Sequence, residues 1–551
     1  MNFNKYKEEL LFLPLGGANE IGMNLNMYHY NGKWLVVDCG IGFADDYLPG
    51  ADLIVPDIGF LVEQKDNILG MVMTHAHEDH VGAIPYIWEY VKAPIYTTKF
   101  TSEFLKAKLT ETKFAKQVKI HEITSKKPFK LGDFEIEAIN ITHSIPEMQG
   151  LAINTPKGKV LHTGDWKIDP KPVEGEATDF ETLKRVGKQG VLAMVCDSTN
   201  VFSHGHSISE DEVKNNLIEA ITEIKQRAVV TTFASNISRI RTILEAAKIT
   251  KRKVVVAGRS LWRIIQVAKD SGYLQDTPEL INDKQFQGIA RKDVLLICTG
   301  CQGEPRAAMS RIAEKTHPKI KLLPDDTIIF SSKIIPGNEK SIFRMLNLLS
   351  LQGMNVITEK DKKIHTSGHP YRDELAQRYD GVKPQIAIPV HGEARHIKEH
   401  AEFAKTLGVP DQVKIQNGEV LQLQEGEKPR KVGKVECGIF ALDCRKHFAA
   451  PDGEVMTCRR KQRRSGSVFV SAVINKKGDI VTDPVVITPG LFDSKSDKEI
   501  VEKIFNDVAF AIEGKRNPDD ATKAVKKLIK KFCKHKFDKN PVIEIHIHQV
   551  A

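Results

Sequence analysis

Several features that are scarce or missing in this 551-residue chain narrow its class before any motif is read. No apolar run approaches the roughly 20 residues that cross a bilayer, which argues against a membrane-spanning helix. The opening MNFNKYKEELLFLPLGG has neither the apolar core of a secretory leader nor the Arg/Ser-rich, acid-poor composition of an organelle-targeting one. A cytoplasmic protein with no membrane partner is therefore expected. Cysteine is sparse: eight residues, scattered without the spacing of a disulfide framework, which suits a reducing compartment. There is no internal repeat and no low-complexity tract. What is present is 41% hydrophobic and 27% charged, the composition of a soluble globular protein. The length calls for about two to four domains. A net charge of +9 is compatible with a polyanionic substrate and equally with plain solubility. Much of the basic excess falls late, in RRKQRR (459–464) and KKLIKKFCKHKF (526–537), which read first as a solvated linker and a solvated helix face.

Residues 1–200 alternate β-branched runs with Gly/Asn turns, and several runs end on polar residues: WLVVDCG, ILGMVMTHAH, FEIEAINITHS, GKVLHTGDWK and VLAMVCDSTN. Enzymes built on rigid sheets carry their chemistry on loops at such strand ends. From Ser209 the pattern becomes strand and helix in turn, which predicts a doubly wound α/β unit with a parallel sheet. After Lys363 come the histidine motifs HTSGHP and PVHGEARH, a helix over about 396–407, and VKIQNGEVLQL, read as a hairpin turning at Asn417-Gly418. Residues 465–551 read as hairpin, helix, basic helix and strand. In that basic helix Ala521, Ala524, Val525, Leu528, Ile529 and Phe532 share one face and force the lysines onto the other.

The densest chemistry lies in MTHAHEDHVGAIP (73–85). His75 and His77 are two residues apart, so they point the same way only on extended or looped backbone, at the end of a strand rather than within a helix. Imidazoles beside carboxylates suit zinc, or manganese where oxygen ligands dominate. This cluster holds too many ligands for one ion and too few for two, so other loops must contribute. Asp38, His143, Asp165 and His391 each follow an apolar run in a Gly-flanked loop. Taken singly, each is more simply a hydrogen-bonded or solvated residue; taken together, they fit one rim. His546 and His548 share the same spacing without neighbouring acids and read as the solvent face of a terminal strand.

HAHEDH with His143 and Asp165 downstream resembles the dinuclear metal set of the metallo-β-lactamase fold, which by itself fixes fold and metal but not substrate. CDSTN, HTSGHP and PVHGEARH look like motifs A, B and C of the β-CASP nucleases. The order PLGGANEIGMN, HAHEDHVGAIPY, TGDWKID, DSTN, FASN, TGCQGEP, SSKIIPGNE, SGHP and HGE resembles the ribonuclease J family over essentially the whole chain. That resemblance implies an α/β (α+β) protein: an αββα sandwich (1–205 and 363–428) interrupted by a doubly wound β-CASP domain (206–362). A linker (429–464) and a small C-terminal α/β domain (465–551) would follow.

Carried over residue by residue, the resemblance puts His75, His77, His143 and Asp165 on one Zn2+, and Asp79, His80, His391 and a bridging Asp165 on a second. Mn2+ or Mg2+ could also support activity. Asp38 would steady the histidine loop from outside the ligand set, and Glu78 is not a ligand. The catalytic residues implied are His369, oriented by Asp197 as a general acid, and Asp79 beside its ligand role. TFASNISR and HTSGHP would form a 5′-monophosphate pocket from Ser235, Asn236, His365, Ser367 and Gly368. The activity implied is 5′-to-3′ exoribonuclease, with endonuclease ability, on single-stranded RNA in RNA maturation and decay. Implied partners are a homodimer or homotetramer through the C-terminal domain, and an RNA helicase or degradosome component. Two departures stand out: Pro370 and Tyr371 follow motif B, where they could narrow an RNA channel, and Cys298/Cys301 form a CxxC with no second pair, so they read as structural. A DNA-cutting relative is disfavoured by the histidine at motif C, a scaffold with a dead site by the full ligand set, and a small-molecule hydrolase by the inserted domain.

Overall fold

The computed structural model describes residues 1–444, 447–493 and 495–550; residues 445 and 446 of the expected linker, and 494 and 551 of the expected C-terminal domain, lie outside the described residues. The chain divides into two compact units, Met1–Gly42 with Pro56–Gly438, and Phe43–Val55 with Ile439–Ala551.

In the first unit two sheets face each other. The eight-stranded sheet runs Arg430–Lys434, Glu419–Leu423, Leu10–Gly16, Leu25–Tyr30, Lys33–Val37, Ile68–Val72, Ile95–Thr97, Ile120–Glu122. The seven-stranded sheet runs Phe129–Leu131, Phe134–Asn140, Gln149–Thr155, Gly158–His162, Ala193–Asp197, Ile386–Val390, Asp411–Gln412. Their inner faces share one core, where Phe12, Tyr28, Val37 and Val72 join Ile136, Leu151, Val195 and Ile388. Alternate residues of the second sheet (Ile139, Ala152, Leu161, Met194) point outward and are covered by Leu183, Val186, Leu375, Tyr379 and Ala404. Those residues come from the helices Phe180–Lys188, Arg372–Val382 and Ala394–Thr406.

Ala193–Asp197 and Ile386–Val390 are parallel neighbours, in register from Ala193↔Ile386 to Asp197↔Val390. Between them the chain builds a third, six-stranded sheet: Leu280–Asn282, Lys253–Ala257, Val294–Cys298, Ala228–Thr231, Thr327–Phe330, Asn355–Ile357. Every pairing in it is parallel. VLLIC and TIIF are buried along their whole length, as strands covered on both faces require. Ser209 and Asn236 cap the helices Glu210–Glu223 and Ile237–Thr250, each accepting a backbone N–H through its side chain. This is the inserted doubly wound α/β architecture anticipated from the sequence.

Two stretches depart from their sequence reading. VKIQNGEVLQL is not a hairpin: Asp411–Gln412 joins the seven-stranded sheet and Glu419–Leu423 the eight-stranded one. Gly418 still turns, at φ +82°, but the Asn417 side chain is committed to the Ala18 N–H and to Glu20. The chain therefore crosses between sheets. The stretch 429–464, expected as a linker with short strands, has those strands and adds a helix. Arg430–Lys434 closes a sheet edge, and Ile439–Asp443 pairs with His447–Ala449. The RRKQRR residues belong to a helix, Glu454–Ser465. Arg459 pairs with Asp443, Arg460 with Asp452 and Arg463 with Asp46. Two of these acids lie within a few turns of the helix, but Asp46 comes from a segment some four hundred residues earlier, which local reading does not reach.

The second unit ends in a sheet ordered Ile480–Ile487, Ser467–Ile474, Val542–Gln549, antiparallel then parallel. The helices Lys498–Ile512 and Pro518–Phe537 close its core with Ile504, Val508, Val525 and Ile529. Truncating a fully buried Ile529 to alanine should cost roughly 2–5 kcal/mol.

Candidate metal centre

The strand ends of both facing sheets converge. Ile68–Val72 feeds the loop carrying His75 and His77, and the short helix Glu78–Val81 holds Asp79 and His80. His143 follows Phe134–Asn140, Asp165 follows Gly158–His162, Asp197 ends Ala193–Asp197, and His391 follows Ile386–Val390. Ligand-type atoms of His75, His77, His143 and Asp165 all lie within 4.8 Å of one another, as do those of Asp79, His80, Asp165 and His391. A third group, Asp165, Asp197, His369 and His391, shares Asp165 with both.

Each imidazole is aimed from behind. Asp38, left-handed at φ +62°, accepts the Thr74 N–H at 2.8 Å through Oδ1 and the His80 Nδ1–H at 2.7 Å through Oδ2. His143 Nδ1–H donates to the Gly368 carbonyl at 2.6 Å. A Cβ at residue 368 would lie 2.5 Å from His143 Cε1, so that approach requires glycine. Thr199 donates its hydroxyl to Asp197 Oδ1 at 2.7 Å and accepts the His391 Nδ1–H at 2.7 Å. With Nδ1 so occupied, His80, His143 and His391 turn Nε2 inward. His77 presents Nδ1 instead, 3.0 Å from both His75 Nε2 and His143 Nε2.

This donor set fits divalent cations. The proton of neutral His143 sits on Nδ1, so its Nε2 lone pair faces the other inward nitrogens, an arrangement that a cation satisfies. Asp165 Oδ1 is buried with no hydrogen-bond partner, while Oδ2 lies 3.1 Å from His80 Nε2, 3.9 Å from His143 Nε2 and 4.0 Å from His75 Nε2. Burial, reinforced by neighbouring histidines, pushes His75 well below the ordinary imidazole range. It does the same to His143 and brings His77 down to about 4. These three are neutral, the form that ligates metals. In His80 and His391 burial again opposes charge, yet Asp165 and the other carboxylates beside them hold both well above the ordinary value. The histidines in turn hold Asp79, Asp165 and Asp197 low despite their burial. The pocket thus carries enough negative charge to protonate two of its own histidines, and divalent cations can meet that excess instead.

His369 stands beside this set, its Nδ1–H donating to Asp197 Oδ2 at 2.8 Å. Burial draws its pKa down, but Asp197 and then Asp165 outweigh burial and raise it. Glu78 is turned away into an ion pair with Lys108.

The expected phosphate-pocket residues divide. His365 and Ser367 line a cavity of about 190 Å³ together with Lys333, Lys363, His206 and Tyr371. His365 Nδ1 is buried and unpartnered. Burial, then the positive charges of Arg239, Lys167 and Lys333, keep its pKa well below the usual range. Ser367 accepts Asn200 Nδ2–H at 2.7 Å, and Gly368 is spent on His143. Ser235 and Asn236 do not line this cavity; Asn236 uses its side chain to cap Ile237–Thr250, accepting the Arg239 N–H at 2.9 Å. Sequence reading missed Thr199, Asn200 and Lys333. All three lie inside quoted motifs, DSTN and SSKIIPGNE, but their partners are far away in sequence.

Residues 225–349 match the family described as Ribonuclease J, beta-CASP domain, and 33–229 the Beta-lactamase superfamily domain. Residues 353–415 match the Zn-dependent metallo-hydrolase RNA specificity domain, and 454–550 the Ribonuclease J C-terminal domain. The chain is 40% identical to Ribonuclease J of Sinorhizobium meliloti over 98% of both chains. The chain belongs to the ribonuclease J family. Ribonuclease J of Corynebacterium glutamicum is 37% identical over 97% of this chain and 75% of that protein. Ribonuclease J of Helicobacter pylori (strain 26695) is 31% identical over 100% and 81%. A crystal structure of a protein of unknown function from Enterococcus faecalis V583 matches at TM-score 0.54 and 14% identity, covering 75% of this chain and all of that one, a likeness of fold alone. The chain is thus a metal-binding, metallo-β-lactamase/β-CASP nuclease of the ribonuclease J family.

Proposed function

We propose that the chain is a zinc-dependent ribonuclease that removes nucleotides from 5′-monophosphorylated single-stranded RNA in the 5′-to-3′ direction, with endonucleolytic ability besides. The metal-dependent part of this reading is carried by seven side chains, His75, His77, Asp79, His80, His143, Asp165 and His391, arranged in two groups that share Asp165, and RNA as the substrate is supported by the likeness to the ribonuclease J relatives. One group would hold one zinc ion and the other a second, with Asp38 steadying the histidine loop. Bound there, the two ions would supply positive charge that makes water acidic enough to attack at neutral pH and balances the charge growing on a phosphodiester.

The chain's own groups do the rest. With Nδ1–H held by Asp197, His369 keeps Nε2 free to protonate the departing 3′ oxygen, and its raised pKa keeps that proton available near neutrality. The products would carry a 5′-phosphate and a 3′-hydroxyl. The cavity beside His365 and Ser367 suits a terminal phosphate, with Lys333 supplying charge. Ser235 and Asn236, which do not line this cavity, would act only at a distance, by shaping the loop that starts Ile237–Thr250. No helix among the described residues is long and apolar enough to cross a membrane. A cytoplasmic enzyme of RNA maturation and decay, assembling as a dimer or tetramer through its C-terminal domain and open to a helicase or degradosome partner, is part of the same reading.

One assay tests it: the purified chain with 5′-monophosphorylated RNA, its 5′-hydroxyl form and matched DNA, with and without chelator. Mononucleotides released from the monophosphorylated RNA, and lost with chelator, are expected. Equal cleavage of DNA, or indifference to chelator, would overturn the reading.

A further inference from the structure

The helix Pro518–Phe537 carries seven lysines against two aspartates, and the aspartates are both in its first turn. Lys523, Lys526, Lys527, Lys530, Lys531 and Lys534 are all exposed. At 100° per residue they occupy one arc opposite Ala521, Val525, Ile529 and Cys533, which are buried. At about 1.5 Å of rise per residue the row extends about 16 Å. Among the described residues only Lys534 has a carboxylate partner, Asp538 just past the helix end.

Spacings of three and four along this face place lysine beside lysine, which destabilises a helix. A face selected only for solubility interleaves acids. The companion helix Lys498–Ile512 does so: it exposes Glu499, Glu502 and Lys503, and Lys503 pairs with Asp507. The single-signed face is therefore a feature that solubility does not explain.

We propose that this lysine face is a docking track for the phosphodiester backbone of single-stranded RNA. The inference rests on RNA being the substrate. It adds a second, sequence-independent grip on long RNA, in a unit that contains none of the residues of the metal centre. Charge complementarity carries the choice of occupant. A membrane is disfavoured because the helix has already buried its apolar face, leaving nothing to insert. A protein partner is disfavoured because the face offers lysines without the aromatic and arginine anchors of protein interfaces.

The test uses the full chain in chelator, so that binding is read without turnover. Affinity for a long unstructured RNA with a 5′-hydroxyl is measured across salt, for the unaltered chain and for a variant with all six lysines changed to glutamine. The glutamine variant should bind at least about tenfold more weakly at 50 mM salt, and its dependence of log Kd on log salt should flatten by about 2–4, given roughly 0.7 per phosphate contact on single strands. A six-arginine variant should bind and melt like the unaltered chain, and the glutamine variant, relieved of the lysine-lysine repulsion, should melt no lower than either. Unchanged affinity and slope in the glutamine variant overturn the inference. So does a variant whose only change is its sedimentation, which makes the face a contact with a second copy, or its loss of phosphatidylserine vesicles. A chain that binds RNA through this face yet cleaves no RNA overturns the proposed function and leaves this inference standing; cleavage with unaltered affinity in the glutamine variant does the reverse.

Discussion

Two of the chain's three His-x-His pairs, His75/His77 and His546/His548, have opposite fates. The rings of His75 and His77 lie 4.8 Å apart and edge-on, in a loop where both face His143 and Asp165. The rings of His546 and His548 lie 6.0 Å apart and stacked on the terminal strand Val542–Gln549, both exposed. Spacing alone therefore makes no site. The loop pair becomes one because strand ends from two sheets bring in acids and further imidazoles, and because hydrogen bonds fix which nitrogen each ring presents. Among the described residues the terminal strand is paired on one side only, and its histidines join no group of metal-ligand type.

Breaking the loop pair should have the largest effect. His77→Ala removes a nitrogen that faces both His75 and His143. Turnover should fall beyond the roughly 10–100-fold typical of residues that only orient ligands, with bound metal lost in elemental analysis. His369→Ala should slow RNA hydrolysis by about 10²–10⁴-fold while metal content is retained, since the proton donor goes and the ligands stay. pH sharpens that contrast. His369 has its pKa raised chiefly by Asp197, against burial, so its acid form is full below the raised value and turnover should fall as pH rises through it. In Asp197→Asn that fall should move to lower pH.

Thr199→Val keeps shape but cuts the link between Asp197 and His391, which should cost about 10–100-fold in kcat or metal affinity. Lys333→Gln should reduce the preference for 5′-monophosphorylated over 5′-hydroxyl RNA by about tenfold, the scale of one charged hydrogen bond, and leave the 5′-hydroxyl rate alone. Replacing His546 and His548 together by alanine should leave metal content unchanged and activity within about twofold, as for exposed surface positions.

Legibility in the sequence followed locality. The metal-ligand candidates could be picked out because they cluster in HAHEDH or follow apolar runs in loops, a pattern visible in a few residues, and the family resemblance sorted them into two groups. The parallel inserted sheet was legible for the same reason, since VVVA, VLLIC and TIIF are continuous buried strands. What escaped depends on partners distant in the chain. Thr199 matters through His391, and Lys333 through a cavity shared with His365 and Ser367. RRKQRR looked like a linker because Asp46, which pairs with Arg463, lies in the excursion Phe43–Val55. Asn417-Gly418 gave a correct turn and a wrong hairpin because the Asn417 side chain serves the loop at Ala18 and Glu20. The basic helix was read as a solvated face that could also grip RNA, and the contrast with its mixed-charge companion, which favours the second reading, appears only when the two are seen packed in one domain.

The most direct measurement strips the chain with chelator, titrates zinc back, and follows both bound zinc and mononucleotide release from 5′-monophosphorylated RNA. The account predicts that release is absent in the stripped chain and returns in step with zinc, reaching full rate at two ions per chain, whereas His77→Ala fails to recover. Full activity in the stripped chain, or recovery in His77→Ala equal to that of the unaltered protein, would contradict it.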